Sequence, residues 1–214
     1  MQLYSFFNSS TSYRVRIALA LKGVAYDTLP VNIRVGEHMA ANYVANVNPS
    51  ASVPALIDGD FRLGQSLAII DYLDKTYPEP LIIPPEPKLR ARVLELSALI
   101  SCDIHPVNNL RVLRYLDTEL KTTPEQKSAW YRHWIAQGMT GVERLLERSA
   151  EGPWCCGAQP TLADICLVPQ IANALRMGCD LTGYQRSLEV YEHAGKNAAF
   201  IAAQPQLQPD YVAP

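Results

Sequence analysis

Apolar and aromatic residues fill positions 3–7 in a run of strand length. A polar turn, NSSTS, follows, and RVRIALALKG then predicts a helix ending on a glycine suited to its C-cap. Residues 26–32 predict a second strand and residues 38–47 a second helix. That helix must stop near Asn48-Pro49, because proline lacks the amide and crowds the preceding turn. VPALID and FRLG flank Gly59 as the arms of an Asp-Gly hairpin. Ser66 then opens QSLAIIDYLDKTYP, whose Leu67, Ile70, Leu73 and Tyr77 share one helical face.

The order βαβαββα predicts a small mixed sheet with helices on its faces, the thioredoxin-like arrangement. A doubly wound nucleotide fold would need a glycine fingerprint after the first strand, and the sequence has none there. Between Pro78 and Pro87, PEPLIIPPEP carries five prolines, through which neither helix nor sheet can run. Beyond it the period becomes helical: Leu89, Val93, Leu96 and Ile100, then Trp130, Trp134, Val142 and Leu145. The expected fold class is therefore α/β plus all-α: a thioredoxin-like domain over residues 1–80, a proline-rich linker over 81–87, and a helical bundle over 88–214. Thr161 to Asp164 has capping-box spacing ahead of ICLVP, and the final PQLQPDYVAP reads as a loosely attached tail.

Composition narrows the partners. A net charge of -2 without a dense Lys/Arg run argues against nucleic acid or an acidic membrane as the main partner, and favours a small molecule. The opening MQLYSFFNSS lacks a basic region followed by an apolar stretch, and no window approaches a membrane span, so a soluble, unexported, cytoplasmic protein is expected. Cys102, Cys155, Cys156, Cys166 and Cys179 make an odd set without a C-x-x-C pair, which reads as reduced thiols. His38, His105, His133 and His193 lack zinc-site pairing, so no metal is expected.

The candidate chemistry sits where the first strand meets the first helix. In a thioredoxin-like domain this loop faces the helix N-terminus, whose amides and dipole favour negative charge. Here it reads Asn8-Ser9-Ser10-Thr11-Ser12, hydroxyls where redox proteins carry cysteines, so any thiol must come from outside. Hydroxyls there could stabilise a bound thiolate, or could simply cap a helix beginning near Tyr13. Two further corners bear on that choice. Val53-Pro54 precedes a strand, where a cis bond would turn backbone groups toward the pocket; Gln65-Ser66 opens the third helix, where amides can grip a carboxylate. Three such corners suit a zwitterionic peptide such as glutathione.

SSTSYRVRIALALKG, the NP before VPALID, QSLAIIDYL and TLADICLVPQ together resemble the zeta class of glutathione S-transferases over nearly the whole chain. The resemblance implies a homodimer that binds glutathione and isomerises maleylacetoacetate or maleylpyruvate to the fumaryl product in aromatic catabolism. It implies Ser9 as thiolate partner, with Ser10 and Thr11 in the same turn and Arg14 at the helix start. Thr11 stands where many members carry cysteine. Val53 and Pro54, Gln65 and Ser66, His38, His105 and Asn109 are the implied glutathione contacts. Arg111 and Arg176 are the implied carboxylate contacts, together with Asn8, which stands where the maleylpyruvate-type members have arginine. A guanidinium suits a diacid because its donors match a carboxylate bidentately. Arg14 and Arg16 lie two apart on the helix, so at most one should face the site. A dehalogenating transferase of α-halo acids and a non-catalytic glutathione-binding module are the alternatives.

Overall fold

The computed structural model describes residues 1–149 and 151–213. The chain divides into two compact units, one of Met1–Ile82 together with the residues from Gly195 onward, the other Ile83–Ala194. In the first unit the elements are β1 (Gln2–Ser5), α1 (Ser10–Lys22), β2 (Asp27–Pro30), a 3₁₀ turn at Glu37–Met39, α2 (Ala41–Asn46), β3 (Ala55–Asp58), β4 (Phe61–Gly64) and α3 (Ser66–Thr76). The sheet order is β2-β1-β3-β4. Leu3 lies opposite Thr28 in the parallel β1–β2 pair and opposite Leu56 in the antiparallel β1–β3 pair. This is the expected mixed sheet, with shorter elements than the apolar runs suggested. The helix expected over residues 38–47 is broken at Ala40, whose ψ of 137° is extended backbone.

Leu3, Val15, Ile17, Leu19, Leu56, Ile69, Ile70 and Leu73 form the buried interior of this unit. Each such side chain taken fully out of water contributes roughly 1.5–3 kcal/mol. Gly23 ends α1 in the left-handed conformation (φ 63°), as a C-cap glycine should. The hairpin differs slightly from an Asp-Gly turn. Asp58 pairs with Phe61, so the two loop residues are Gly59 and Asp60, and Gly59 takes the first position with φ 61°. Lys22, at the C-terminal end of α1, places Nζ 2.6 Å from the Asp74 carboxylate on α3. Asp74 also accepts the Ile82 amide at 2.9 Å, tying down the chain beyond the cis Glu79-Pro80 bond.

The second unit is helical: α4 (Pro87–Ala98) running into a π-helical stretch at Leu99–Ile104, a 3₁₀ turn at Pro106–Asn108, α5 (Leu110–Thr118), α6 (Pro124–Glu147), α7 (Leu162–Arg176) and α8 (Gln185–Ala194). Thr161 and Asp164 form the expected capping box at the start of α7. The Asp164 carboxylate accepts the Thr161 amide at 2.7 Å and hydroxyl at 2.9 Å, and the Cys155 amide at 2.7 Å. Burial nevertheless pushes its pKa up, against those bonds. Cys155, Cys156, Cys166 and Cys179 are buried free thiols and Cys102 is an exposed one. Burial raises Cys155 strongly and Cys156 to about 11, so both stay protonated and serve as small apolar residues.

The chain then returns to the first unit through α9 (Ala198–Ala202) and a 3₁₀ turn at Pro205–Leu207. This corrects the expectation that residues 88–214 form one domain ending in a loose tail. The reason is Arg16, buried on α1, whose Nε donates to the Ala203 carbonyl at 3.0 Å. Farther on, the Phe7 amide donates to the Asp210 carboxylate at 2.8 Å and the Tyr211 ring meets Phe7 edge-on at 5.4 Å. Pro214, the end of the expected tail, lies outside the described residues.

Candidate functional site

After Ser5 the chain leaves the sheet and turns: the Ser9 amide donates to the Phe6 carbonyl at 3.0 Å across Phe7 and Asn8. Ser9 has extended backbone (φ -82°, ψ 119°), and its Oγ accepts the Ser12 amide at 3.2 Å, which makes it the N-cap of α1. The helix thus starts at Ser10, three residues before the expected Tyr13. Ser10 and Thr11 lie in its first turn, where amides lack intrahelical partners, and no acidic residue occupies that turn. Thr11 Oγ1 is 2.9 Å from Ser9 Oγ and donates to the Val53 carbonyl at 3.1 Å. Val53 and Pro54 are buried and their peptide bond is cis, so the first two corners meet through Thr11.

The third corner is set by the hairpin. Ala55 pairs with Gly64, which brings Gln65 and Ser66 level with Pro54 at the start of α3. Gln65 has φ 66° and ψ 114°, a left-handed backbone in a residue that is not glycine. Such conformations cost about 1–3 kcal/mol and collect at ligand-contacting segments. Ser66 is buried and accepts a hydrogen bond from Arg14 Nη1 at 3.4 Å; Arg14 itself is 1% exposed. The first turn of α3 also contains no acidic residue. One buried guanidinium therefore adds its positive charge to the Ser66 end of α3 from within α1. Arg16 points elsewhere, to the Ser5 hydroxyl and to the Phe6, Phe7 and Ala203 carbonyls, so only one of the two arginines faces these corners.

Of the remaining expected residues, Asn8 is half-buried within the turn and His38 half-buried on the Glu37–Met39 turn. The others belong to the second unit. His105 closes the π-helical stretch with α-region backbone (φ -60°, ψ -43°) and leads into the Pro106–Asn108 turn. Asn109 caps α5 by accepting the Val112 amide at 3.2 Å. Arg111 is exposed in the first turn of α5. Arg176 closes α7, exposed, and donates to the Asn173 side-chain oxygen at 2.9 Å. Burial raises the Tyr131 phenol to about 12, and the charge of Arg176 opposes that rise. Among the described residues no set of three His, Cys, Asp or Glu could hold a metal ion, and no helix is long and apolar enough to cross a membrane.

Sequence reasoning missed the strain at Gln65 and the pairing of Arg14 with Ser66. Neither has a local signal: the first is a backbone angle, and the second joins residues 52 positions apart.

Residues 1–75 match the glutathione S-transferase N-terminal domain family and residues 128–194 the C-terminal domain family. A probable maleylacetoacetate isomerase of Vibrio cholerae is 44% identical, with 97% of each chain covered. The holo structure of maleyl pyruvate isomerase, a bacterial glutathione S-transferase in the zeta class, is 42% identical, with TM-score 0.96 and coverage of 99% of this chain and 100% of that one. A maleylacetoacetate isomerase of Methylobacterium extorquens AM1, solved with bound malonate and glutathione, is 33% identical with TM-score 0.95 and full coverage of both chains. With its hydroxyl-lined helix start, cis Val53-Pro54 bond and Gln65-Ser66 corner, this chain belongs to the glutathione S-transferase family, in its zeta class.

Proposed function

We propose that the chain is a glutathione-dependent cis-trans isomerase of maleyl-type diacids, acting on maleylacetoacetate or maleylpyruvate. The observation that carries this reading is the pair of helix starts free of acidic residues, α1 with its Ser9–Thr11–Val53 hydroxyl chain and α3 backed by buried Arg14. Two anion-favouring ends fit a tripeptide that carries a thiolate at one point and a carboxylate at another.

Bound glutathione would supply a thiolate that adds to the cis double bond and departs after rotation about the resulting single bond. Ser9 donates its hydroxyl toward the sulfur, and the first-turn amides around Ser10 and Thr11 add to the same stabilisation. Favouring the charged form in this way lowers a thiol pKa from its usual value of about 8.5. Gln65, Ser66 and the α3 amides, with Arg14 behind them, take the γ-glutamyl carboxylate. Val53 offers backbone groups beside Pro54, and His38, His105 and Asn109 meet the remaining polar groups. Arg111 and Arg176, with Asn8, take the substrate carboxylates; both arginines are exposed, and a guanidinium can meet a carboxylate bidentately. The active form is a cytoplasmic homodimer.

Turnover of both diacids by the purified protein, with and without glutathione, tests this. Glutathione-dependent isomerisation of at least one diacid is the expected result. Activity on dichloroacetate with neither diacid turned over would replace it with the dehalogenase reading.

A further inference from the structure

We infer that Asp210 is a positioning residue for the Ser9 turn, setting through the Phe7 amide where Ser9 presents its hydroxyl; the inference rests on the role proposed for Ser9.

Between the end of β1 and the cap of α1 stand only Phe6, Phe7 and Asn8, and their backbone groups are held from two directions. From within, Arg16 donates to the Phe6 carbonyl at 3.4 Å and to the Phe7 carbonyl at 3.0 Å. From the far end of the sequence, Asp210 Oδ2 takes the Phe7 amide at 2.8 Å across a separation of 203 residues. A carboxylate on an amide is a charge-assisted hydrogen bond, stronger and more directional than a neutral one. The Phe6 carbonyl that accepts from Arg16 is also the acceptor of the Ser9 amide, so displacement of Phe6 and Phe7 moves Ser9 with them.

Aromatic packing stiffens the same joint. Tyr211, next to Asp210, meets the Phe7 ring at 5.4 Å, Phe7 meets Phe6 at 4.7 Å, and the Arg34 guanidinium lies over the Phe6 and Phe7 rings at 5.5 and 5.3 Å. A carboxylate near a thiolate would by itself disfavour ionisation. Arg16 supplies the countercharge: burial lowers its pKa to about 10 against the opposing pull of Tyr26 and Asp210, and it remains a cation at neutral pH. Asp210 thus acts through geometry: its removal relaxes the turn and shifts Ser9 without deleting any group proposed to touch glutathione.

The test compares Asp210→Ala, Asp210→Asn and Gln206→Ala in the full chain. Gln206 is exposed and its side chain donates to the Gln204 side-chain oxygen, away from the turn, so its variant behaves as wild type. Bound-thiol ionisation is followed by ultraviolet thiolate absorbance, and kcat and glutathione KM are measured against pH. In Asp210→Ala the bound thiol ionises at roughly tenfold lower proton concentration, and kcat at neutral pH falls roughly tenfold, recovering as pH rises, while KM changes by less than about threefold. Asp210→Asn keeps an acceptor oxygen for the Phe7 amide and lies between Asp210→Ala and wild type; it decides the matter if the alanine variant does not fold. Wild-type ionisation and kcat in the alanine variant, whatever its thermal midpoint, overturn the inference alone. A wild-type protein that leaves bound glutathione protonated at neutral pH overturns the proposed function and the inference with it.

Discussion

Thr11 gives its only hydroxyl proton to the Val53 carbonyl, so across the 2.9 Å contact between Thr11 and Ser9 it is Ser9 that donates. In this arrangement the Ser9 proton is aimed at Thr11 and its oxygen is occupied by the Ser12 amide. Ser9 must swing its proton away from Thr11 to serve a sulfur. On the role proposed for Ser9, the hydroxyl chain is a resting arrangement that a bound thiolate rearranges.

Thr11→Val separates support from chemistry. The variant leaves the buried Val53 carbonyl without its partner and lowers stability by about 1–3 kcal/mol, read by denaturant unfolding. It also frees the Ser9 proton, so kcat/KM changes by less than about threefold. A loss as large as that of Ser9→Ala would move the donor role from Ser9 to Thr11.

Ser9→Ala removes the donor and the helix cap together. Loss of one donor to a developing anion lowers kcat about 100-fold at neutral pH. Loss of the cap costs about 1 kcal/mol of stability. Raising pH restores part of the rate, because the unassisted ionisation of the thiol then supplies the nucleophile; a rate deficit constant with pH would contradict the assigned role.

The Lys22–Asp74 pair is a stability element away from these corners. Asp74→Ala leaves the buried ammonium with the Pro80 carbonyl but no countercharge, strands the Ile82 amide, and lowers unfolding free energy by about 3–5 kcal/mol. Glutathione affinity of the folded protein stays within about twofold, by calorimetry below the new midpoint.

Asp164 gives a pH signature. Its folded pKa lies above the ordinary value of 3.8, because burial outweighs its hydrogen bonds. Between the unfolded and folded values the native state binds more protons, so its contribution is full below 3.8 and is lost as pH rises through the folded pKa. Asp164→Asn lacks this dependence. The stability advantage of wild type over the variant is largest at the acid end and narrows toward neutrality, measured by denaturant unfolding at a series of pH values. An advantage that grows with pH would show the carboxylate to be stabilised in its charged form.

Much of the fold and of the site is legible because the signals are local. Ser66 and Thr161 mark helix starts as hydroxyls set just ahead of an apolar helical run, and Gly23 marks a helix end. The start of α1 reads three residues late because NSSTS offers several hydroxyls as caps; the Ser12 amide selects Ser9. The burial of Arg14 and Arg16 is not legible, since a charge enters an interior only where distant acceptors meet it. For Arg16 one of those acceptors is Ala203, 187 residues away. The same separation hides the order of the segment after Gly195, whose proline and glutamine content reads as a tail until Phe7 and Arg16 are seen to need it.

The first unit is assembled from two stretches of chain with the whole of Ile83–Ala194 between them. A ribosome therefore completes the second unit while Arg16 still waits for Ala203, and Phe7 for Asp210. Until those residues emerge, the nascent sheet carries a guanidinium with an acceptor missing and a Phe7 ring without its Tyr211 cover, the kind of surface that chaperones hold. Fusion partners or deletions placed after Gly195 then act on the maturation of the N-terminal fold.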